Sequence, residues 1–457
     1  MSRDLLAAWQ RTLRRRAADP AVIEAAGGHR ATFAELDQRA ERWIALHAAP
    51  FGGKLAHTAV VYARPNGLGW FDGFLGLLKA GAVVVPVDGS EPPEAQRQLA
   101  RVLRAGFLWT GDRLEPLANP RRFRDPDIGL IKLTSGSTGL PRPLIFTDRQ
   151  MLMDGRQVTA SMGITSRDLN YALIPLGHSY GLGNLTVPLL AQGVPLVCGS
   201  APLPHAIASD FASWKPTVFP GVPSLWRALA ATPVVLPGLR LAISAGAPLP
   251  PEVAVAFAQR FGLPLKGFYG SSETGGITFD RTGRTTLAGG VGTAMRGVTL
   301  TPLRGRRLEV SSAAVGTHGN RRRRGDFGAW LMADRVELGQ AGQVRLLGRR
   351  GTTVKLAGRR VDLGEIVARL KRIPGVRDAW AEAGGDRDPV LGAAVATEIS
   401  VADLRAALRV DTPAWKIPRK WKLLPALPVT ARGKIDVTGL RMQVFGAAGG
   451  ESIVPAG

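Results

Sequence analysis

Apolar runs of strand length alternate with amphipathic, helix-like segments through much of the first 270 residues. That alternation predicts an open α/β fold with strands buried between helices. Residues 77–88 (LLKAGAVVVPVD) read as a helix end, a glycine stop and a buried strand, and residues 239–247 (LRLAISAGA) as a strand leading into a small-residue turn. From about residue 287 to residue 347 the pattern changes to short strands with Gly- and Arg-rich connections, which predicts a small β-rich subdomain. The clearest boundary is Gly348-Arg349-Arg350-Gly351. Beyond it, residues 362–370 read as a helix, 379–396 as paired strands around a Gly/Asp turn, and 401–408 as a helix. The expected organisation is a large domain over 1–348, a compact α+β domain over 349–445 and a loose tail over 446–457.

Composition narrows the class. The 457 residues are 45% hydrophobic and 21% charged, the profile of a soluble globular chain long enough for more than one core. No apolar run approaches the roughly 20 residues that a membrane span needs. The N-terminal residues mix Asp4 with several arginines and do not read as a secretory signal. A lone cysteine, Cys198, excludes an intramolecular disulfide and a Cys-based zinc cluster, so a cytoplasmic location is expected. The net charge of +23 attracts polyanions, yet no helix-turn-helix, zinc or RNP-type signature accompanies it. Arginine supplies most of the excess, as expected of solvated faces in an Arg-rich chain. The stretches dense enough to form a patch are residues 321–324 and 416–422.

Candidate chemistry begins where the apolar segment 128–133 ends. Thr134, Ser135, Gly136, Ser137, Thr138 and Gly139 combine hydroxyl donors with glycines that let backbone N–H groups approach closely, which suits a phosphate cradle. No lysine follows the second glycine, so the loop is not a P-loop of the Walker type. Read alone, such a run is more often a plain surface loop.

The full stretch LTSGSTGLPRP (133–143) resembles the signature loop of the adenylate-forming superfamily, which includes acyl-CoA synthetases, aryl-acid ligases, luciferases and nonribosomal adenylation domains. Further segments are similar to that family's pattern and appear in its order. They are ATFAELDQRA (31–40), LLKAGAVVVPVD (77–88), PLGHSYGL (175–182), KPTVFPGVPSLWRAL (215–229), LRLAISAGAPLP (239–250) and GFYGSSETG (267–275). RGDFG (324–328), GRRGTTVKLAGRRVDLGEI (348–366) and PVTARGKID (428–436) complete the series.

The resemblance implies layered α/β subdomains, a mobile C-terminal domain, and ATP- and Mg²⁺-dependent conversion of a carboxylic acid to an acyl-AMP with release of pyrophosphate. Transfer to a thiol would follow, on coenzyme A or on a phosphopantetheinyl acyl carrier protein acting in trans. It implies that residues 134–139 hold the β- and γ-phosphates and that Ser272 reaches the α-phosphate. Glu273 would coordinate Mg²⁺, and Tyr269 with Gly270 would offer adenine a stacking face. Gly246 and Ala247 would wall the adenine and acyl sites, Asp326 would accept from the ribose hydroxyls, and Arg349 would touch the ribose or its phosphate. Lys434 would stabilise the transition state as a mobile positive charge, and the C-terminal domain would pivot at Gly351.

His178 by itself reads as a satisfied structural residue. In the resemblance it stands at the edge of the acyl pocket, where relatives that activate amino acids carry an aspartate. A histidine there argues for an aryl or aliphatic acid. The sequence departs from the family at Arg142 and Pro143, where lysine and glycine are usual, and Pro143 is expected to stiffen a turn. Gly351 stands where Asp or Lys is usual, and a glycine tolerates the backbone change of a pivot. Alternative fates of the acyl-AMP are amide formation, ring closure or oxidation.

Overall fold

In the computed structural model, the described residues are 4–134, 142–316, 323–324, 327–349, 353–356, 359–384, 390–410, 412, 414–430 and 435–446. They form two compact units, one of residues 1–302, 309–331 and 338–345, the other of 303–308, 332–337 and 346–457.

The first unit carries two large sheets, as the alternating pattern predicts. In the six-stranded sheet the spatial order is Leu114–Pro116, Phe107–Trp109, Ala59–Arg64, Val83–Asp88, Ile128–Thr134, Arg142–Thr147. The four inner strands run parallel, and the two edge strands pair antiparallel. In the nine-stranded sheet the order is Thr293–Ala294, Gly275–Phe279, Leu265–Ser271, Leu241–Ser244, Val218–Gly221, Asn170–Ala172, Leu196–Cys198, Pro20–Glu24, Arg30–Thr32. The six strands from Leu265–Ser271 to Pro20–Glu24 in that order are again parallel, and the others pair antiparallel.

Strand Val83–Asp88 is apolar on both faces because helices cover both faces of a parallel sheet. Helix Leu68–Lys79 ends just before Gly81, whose φ of +75° costs a glycine nothing. Aromatic side chains from several helices, among them Trp9, Trp70, Phe71 and Phe74, fill the main core. The helices are entered through local chemistry. Thr147 and Gln150 form a reciprocal capping box at the start of Asp148–Met162, and Thr32 with Glu35 does the same for Phe33–Trp43.

A further sheet, of five strands, spans residues 299–349. One of its strands, Phe327–Leu338, has 12 residues, longer than the short strands expected there. In the second unit, strands Asp378–Gly384, Val390–Ala396 and Lys420–Leu424 form a sheet covered by helices Leu363–Leu370, Val401–Arg409 and Val437–Phe445. Its core is built on Ile366, Leu370, Leu391 and Leu404.

Candidate active site

The motif segments follow the carboxyl ends of parallel strands, the place where open α/β sheets bind ligands. Residues 134–139 follow Ile128–Thr134, the His178 segment follows Asn170–Ala172, Gly246 follows Leu241–Ser244, and Glu273 follows Leu265–Ser271. Strand geometry thus brings together residues some ninety positions apart.

Two of these segments touch directly. Ser179 Oγ donates to Ser272 Oγ at 2.9 Å, joining the histidine segment to the acidic motif. His178 sits just before the helical turn Ser179–Gly181, with Nε2 3.6 Å from Asp88 Oδ2 at the end of strand Val83–Asp88. The turn needs its glycine. A Cβ on Gly181 would lie 2.0 Å from the carbonyl oxygen of Pro175. Tyr180 continues the wall, its ring 5.7 Å from that of Phe268 and its hydroxyl 3.4 Å from the carbonyls of Gly221 and Ile243. Gly246 adopts φ +86°, and Val222 is the near neighbour of the space its side chain would occupy.

Around Glu273 the backbone is held from several sides. Ser271 Oγ accepts the N–H of Thr274 at 3.3 Å, and Gly316 N–H donates to the Glu273 carbonyl at 3.0 Å. Behind the loop runs helix Asp148–Met162, whose Gln150, Asp154, Gln157 and Ser161 are all buried. Each clasps loop backbone. Gln150 donates to Val315 O, Asp154 accepts from Gly276 N–H, Gln157 donates to Gly297 O, and Ser161 accepts from Arg296 N–H. Lys132, on the strand that leads into the hydroxyl-rich loop, places Nζ 3.8 Å from Asp154 Oδ2. Burial pushes the ammonium down and the carboxyl up, and their mutual attraction opposes both shifts.

No group of three or more His, Cys, Asp or Glu able to hold a metal occurs among the described residues. Glu273 is half-buried, and a lone carboxylate of this kind fits Mg²⁺, which needs few protein carboxylates when phosphate oxygens complete its shell.

Comparison with known proteins agrees with this arrangement. The AMP-binding enzyme family matches residues 115–301. A feruloyl-CoA synthase from Amycolatopsis is 26% identical, the match covering 90% of this chain and 93% of that protein. Tyrocidine synthase 3 of Brevibacillus parabrevis is 24% identical over 89% of this chain and 7% of its own length. The chain thus resembles the adenylate-forming superfamily, with residues 115–301 matching its AMP-binding enzyme family. Among solved structures it shares the fold of the anthranilate CoA ligase AuaEII in complex with anthranoyl-AMP, with a TM-score of 0.77 and 20% identity over 96% of this chain and 97% of that one. The O-succinylbenzoate coenzyme A synthetase of Bacillus subtilis, in complex with AMP, gives 0.79 and 19% over 97% of this chain and 99% of that one.

In the structure the expected site residues divide into three groups. His178, Gly246, Ala247, Tyr269, Gly270, Ser272 and Glu273 lie in the described first unit, at strand ends. Thr134 and Arg349 are placed as the last residues of strands Ile128–Thr134 and Val344–Arg349. Ser135, Gly136, Ser137, Thr138, Gly139, Asp326, Gly351 and Lys434 lie outside the described residues.

Two expectations change. Pro143 does not stiffen a turn; it sits in the edge strand Arg142–Thr147 opposite Leu133, a position that tolerates a missing N–H. Tyr269 is only 8% exposed, so little of its ring is open, while Gly270, Gly246 and Ala247 are exposed. A separate cavity of about 510 Å³ opens where strands Ala59–Arg64 and Phe107–Trp109 end, lined by Arg64, Arg97 and Trp109.

Sequence reasoning missed Lys132, Asp154 and the polar face of their helix. The signals were there. A lone lysine in an apolar strand is costly to bury without a partner, and Gln150, Asp154, Gln157 and Ser161 recur at helical spacing.

Proposed function

We propose that the chain activates an aryl carboxylic acid as its acyl-AMP, using ATP and Mg²⁺, and passes the acyl group to a phosphopantetheine thiol. Supporting this is the hydroxyl contact between Ser179 and Ser272, which sets the acyl-pocket segment directly beside the residue read as reaching the α-phosphate. In this reading residues 134–139 donate to the β- and γ-phosphates, Glu273 holds Mg²⁺, and Lys434 bridges the attacking carboxylate and the α-phosphate. Bound Mg²⁺ neutralises phosphate charge so that two anions can meet in line. Residues 1–348 bind both substrates. The domain 349–445 delivers Lys434 and then turns about Gly351 for thiol transfer.

An aryl acid is favoured over an α-amino acid because His178 stands where relatives that activate amino acids carry an aspartate, with the aromatic pair Tyr180–Phe268 in the same segment's surroundings. The feruloyl and anthranilate names among similar proteins point the same way. Pyrophosphate release measured across benzoates, cinnamates, fatty acids and amino acids is expected to be fastest with a benzoate or cinnamate. Preference for an amino acid would sink the assignment of His178.

For the thiol donor, coenzyme A and a carrier protein share the same arm. The basic stretch of the C-terminal domain favours an acidic carrier surface, with Arg419, Lys420 and Lys422 exposed. Lys416 contributes less to that surface than the sequence suggests, since its ammonium lies 3.2 Å from Glu365.

A further inference from the structure

Lys132 and Asp154 are buried charges that none of the roles above uses, their side chains 2% and 3% exposed. Besides its ion partner, the ammonium of Lys132 lies 4.3 Å from the ring centre of Phe146. Asp154 spends its other oxygen on the N–H of Gly276, at 2.9 Å. Its carboxylate is walled by Gly275 of the acidic motif and by Gly183, which directly follows the histidine segment. A Cβ on Gly275 would lie 2.3 Å from Oδ1, and one on Gly183 2.9 Å from Oδ2. Well-packed apolar residues in place of a buried ion pair are often neutral or stabilising, so stability alone does not explain charges at this point.

We propose that the Lys132–Asp154 pair is the positioning element of the metal–nucleotide site, fixing the Glu273 loop against the strand that enters the phosphate cradle. The proposal rests on reading Glu273 as the Mg²⁺ ligand and residues 134–139 as that cradle. Lys132 stands two residues before Thr134, at the root of the cradle. Asp154 pins the backbone three residues beyond Glu273, while Gln150 of the same helix holds Val315, whose neighbour Gly316 holds the Glu273 carbonyl. Lys132 opposes the burial that pushes the Asp154 carboxyl up, while Oδ1 accepts from Gly276. Its charge also reaches Glu273. Without it, burial of the carboxylate would lose its largest opposing influence, and the loop would lose its fixed register to the strand.

Calorimetric titration with Mg·ATP tests this on the full chain, Lys132→Met, Asp154→Asn and the double variant. The double variant strands no charge and keeps an acceptor for Gly276, so it remains informative if either single variant folds poorly. All three are expected to bind Mg·ATP about tenfold or more weakly, the usual cost of losing a partner behind a metal ligand. The melting temperature should fall in the single variants and recover in the double. Wild-type affinity in the double variant, or in a folded single variant, would overturn the proposal and reduce the pair to a structural one. Failure of the folded wild type to bind Mg·ATP would instead overturn the underlying reading, and the proposal with it.

Discussion

Replacing Lys434 with alanine is expected to lower acyl-AMP formation by roughly 10²–10³-fold, the cost of removing one preorganised donor from a developing oxyanion. The chemistry sets the size. A carboxylate attacks a phosphorus already surrounded by negative oxygens, and a cation placed between the two is worth most in the transition state. Alanine removes that charge without adding bulk. Transfer from pre-formed acyl-AMP to the thiol should be nearly unchanged, because in the proposed cycle that step uses the other orientation of the C-terminal domain. Pyrophosphate exchange and single-turnover thiolysis measured side by side decide the matter. An equal loss in both would remove Lys434 from the role given to it.

Asp154→Ala should be the most destabilising of the changes considered, by about 3–5 kcal/mol, because it leaves the Lys132 ammonium buried without its counter-charge. At roughly 2–4 °C per kcal/mol for a domain of 150–250 residues, the melting temperature should fall on the order of 10 °C. The loss has a pH signature. Burial already holds the Lys132 ammonium below its ordinary range, and removing Asp154 takes away the largest opposing influence. The unfolded chain then binds the proton more tightly than the folded one, so the variant's stability rises with pH until the unfolded lysine itself titrates. Melting curves at pH 6 and pH 9 should therefore show the larger deficit at pH 6. A deficit independent of pH would mean that lost packing, not a stranded charge, dominates.

These two residues also mark what the sequence can and cannot reveal. Strand Val83–Asp88, strand Leu241–Ser244 and helix Leu363–Leu370 were legible because each carries its pattern locally, in apolar runs and their breaks. The order of motifs was legible for the same reason. Lys132 and Asp154 were harder to pair, because a lone lysine in an apolar strand signals a buried charge but its partner is set only by the fold. The stripe of Gln150, Asp154, Gln157 and Ser161 reads as a solvated face, yet the fold turns it inward against loop backbone. Ser179 and Ser272 meet across 93 positions, and only the sheet order brings them together. Pro143 was misread because a proline after a glycine-rich loop signals a turn, whereas an edge strand accommodates it equally well.

The sheet interior also decides the behaviour of the lone thiol. Cys198 ends an inner strand, paired on one side with Asn170–Ala172 and on the other with Pro20–Glu24. Burial holds the sulfhydryl well above the ordinary thiol range, and Glu24 adds to the effect, so the nucleophilic thiolate is scarce while the fold is intact. An alkylating dye therefore meets a silent protein until the nine-stranded sheet opens. Labelling then proceeds at the opening rate or with the opening equilibrium, whichever limits. The chain thus contains its own single-site gauge of unfolding, readable on a gel in crude extract without an engineered probe.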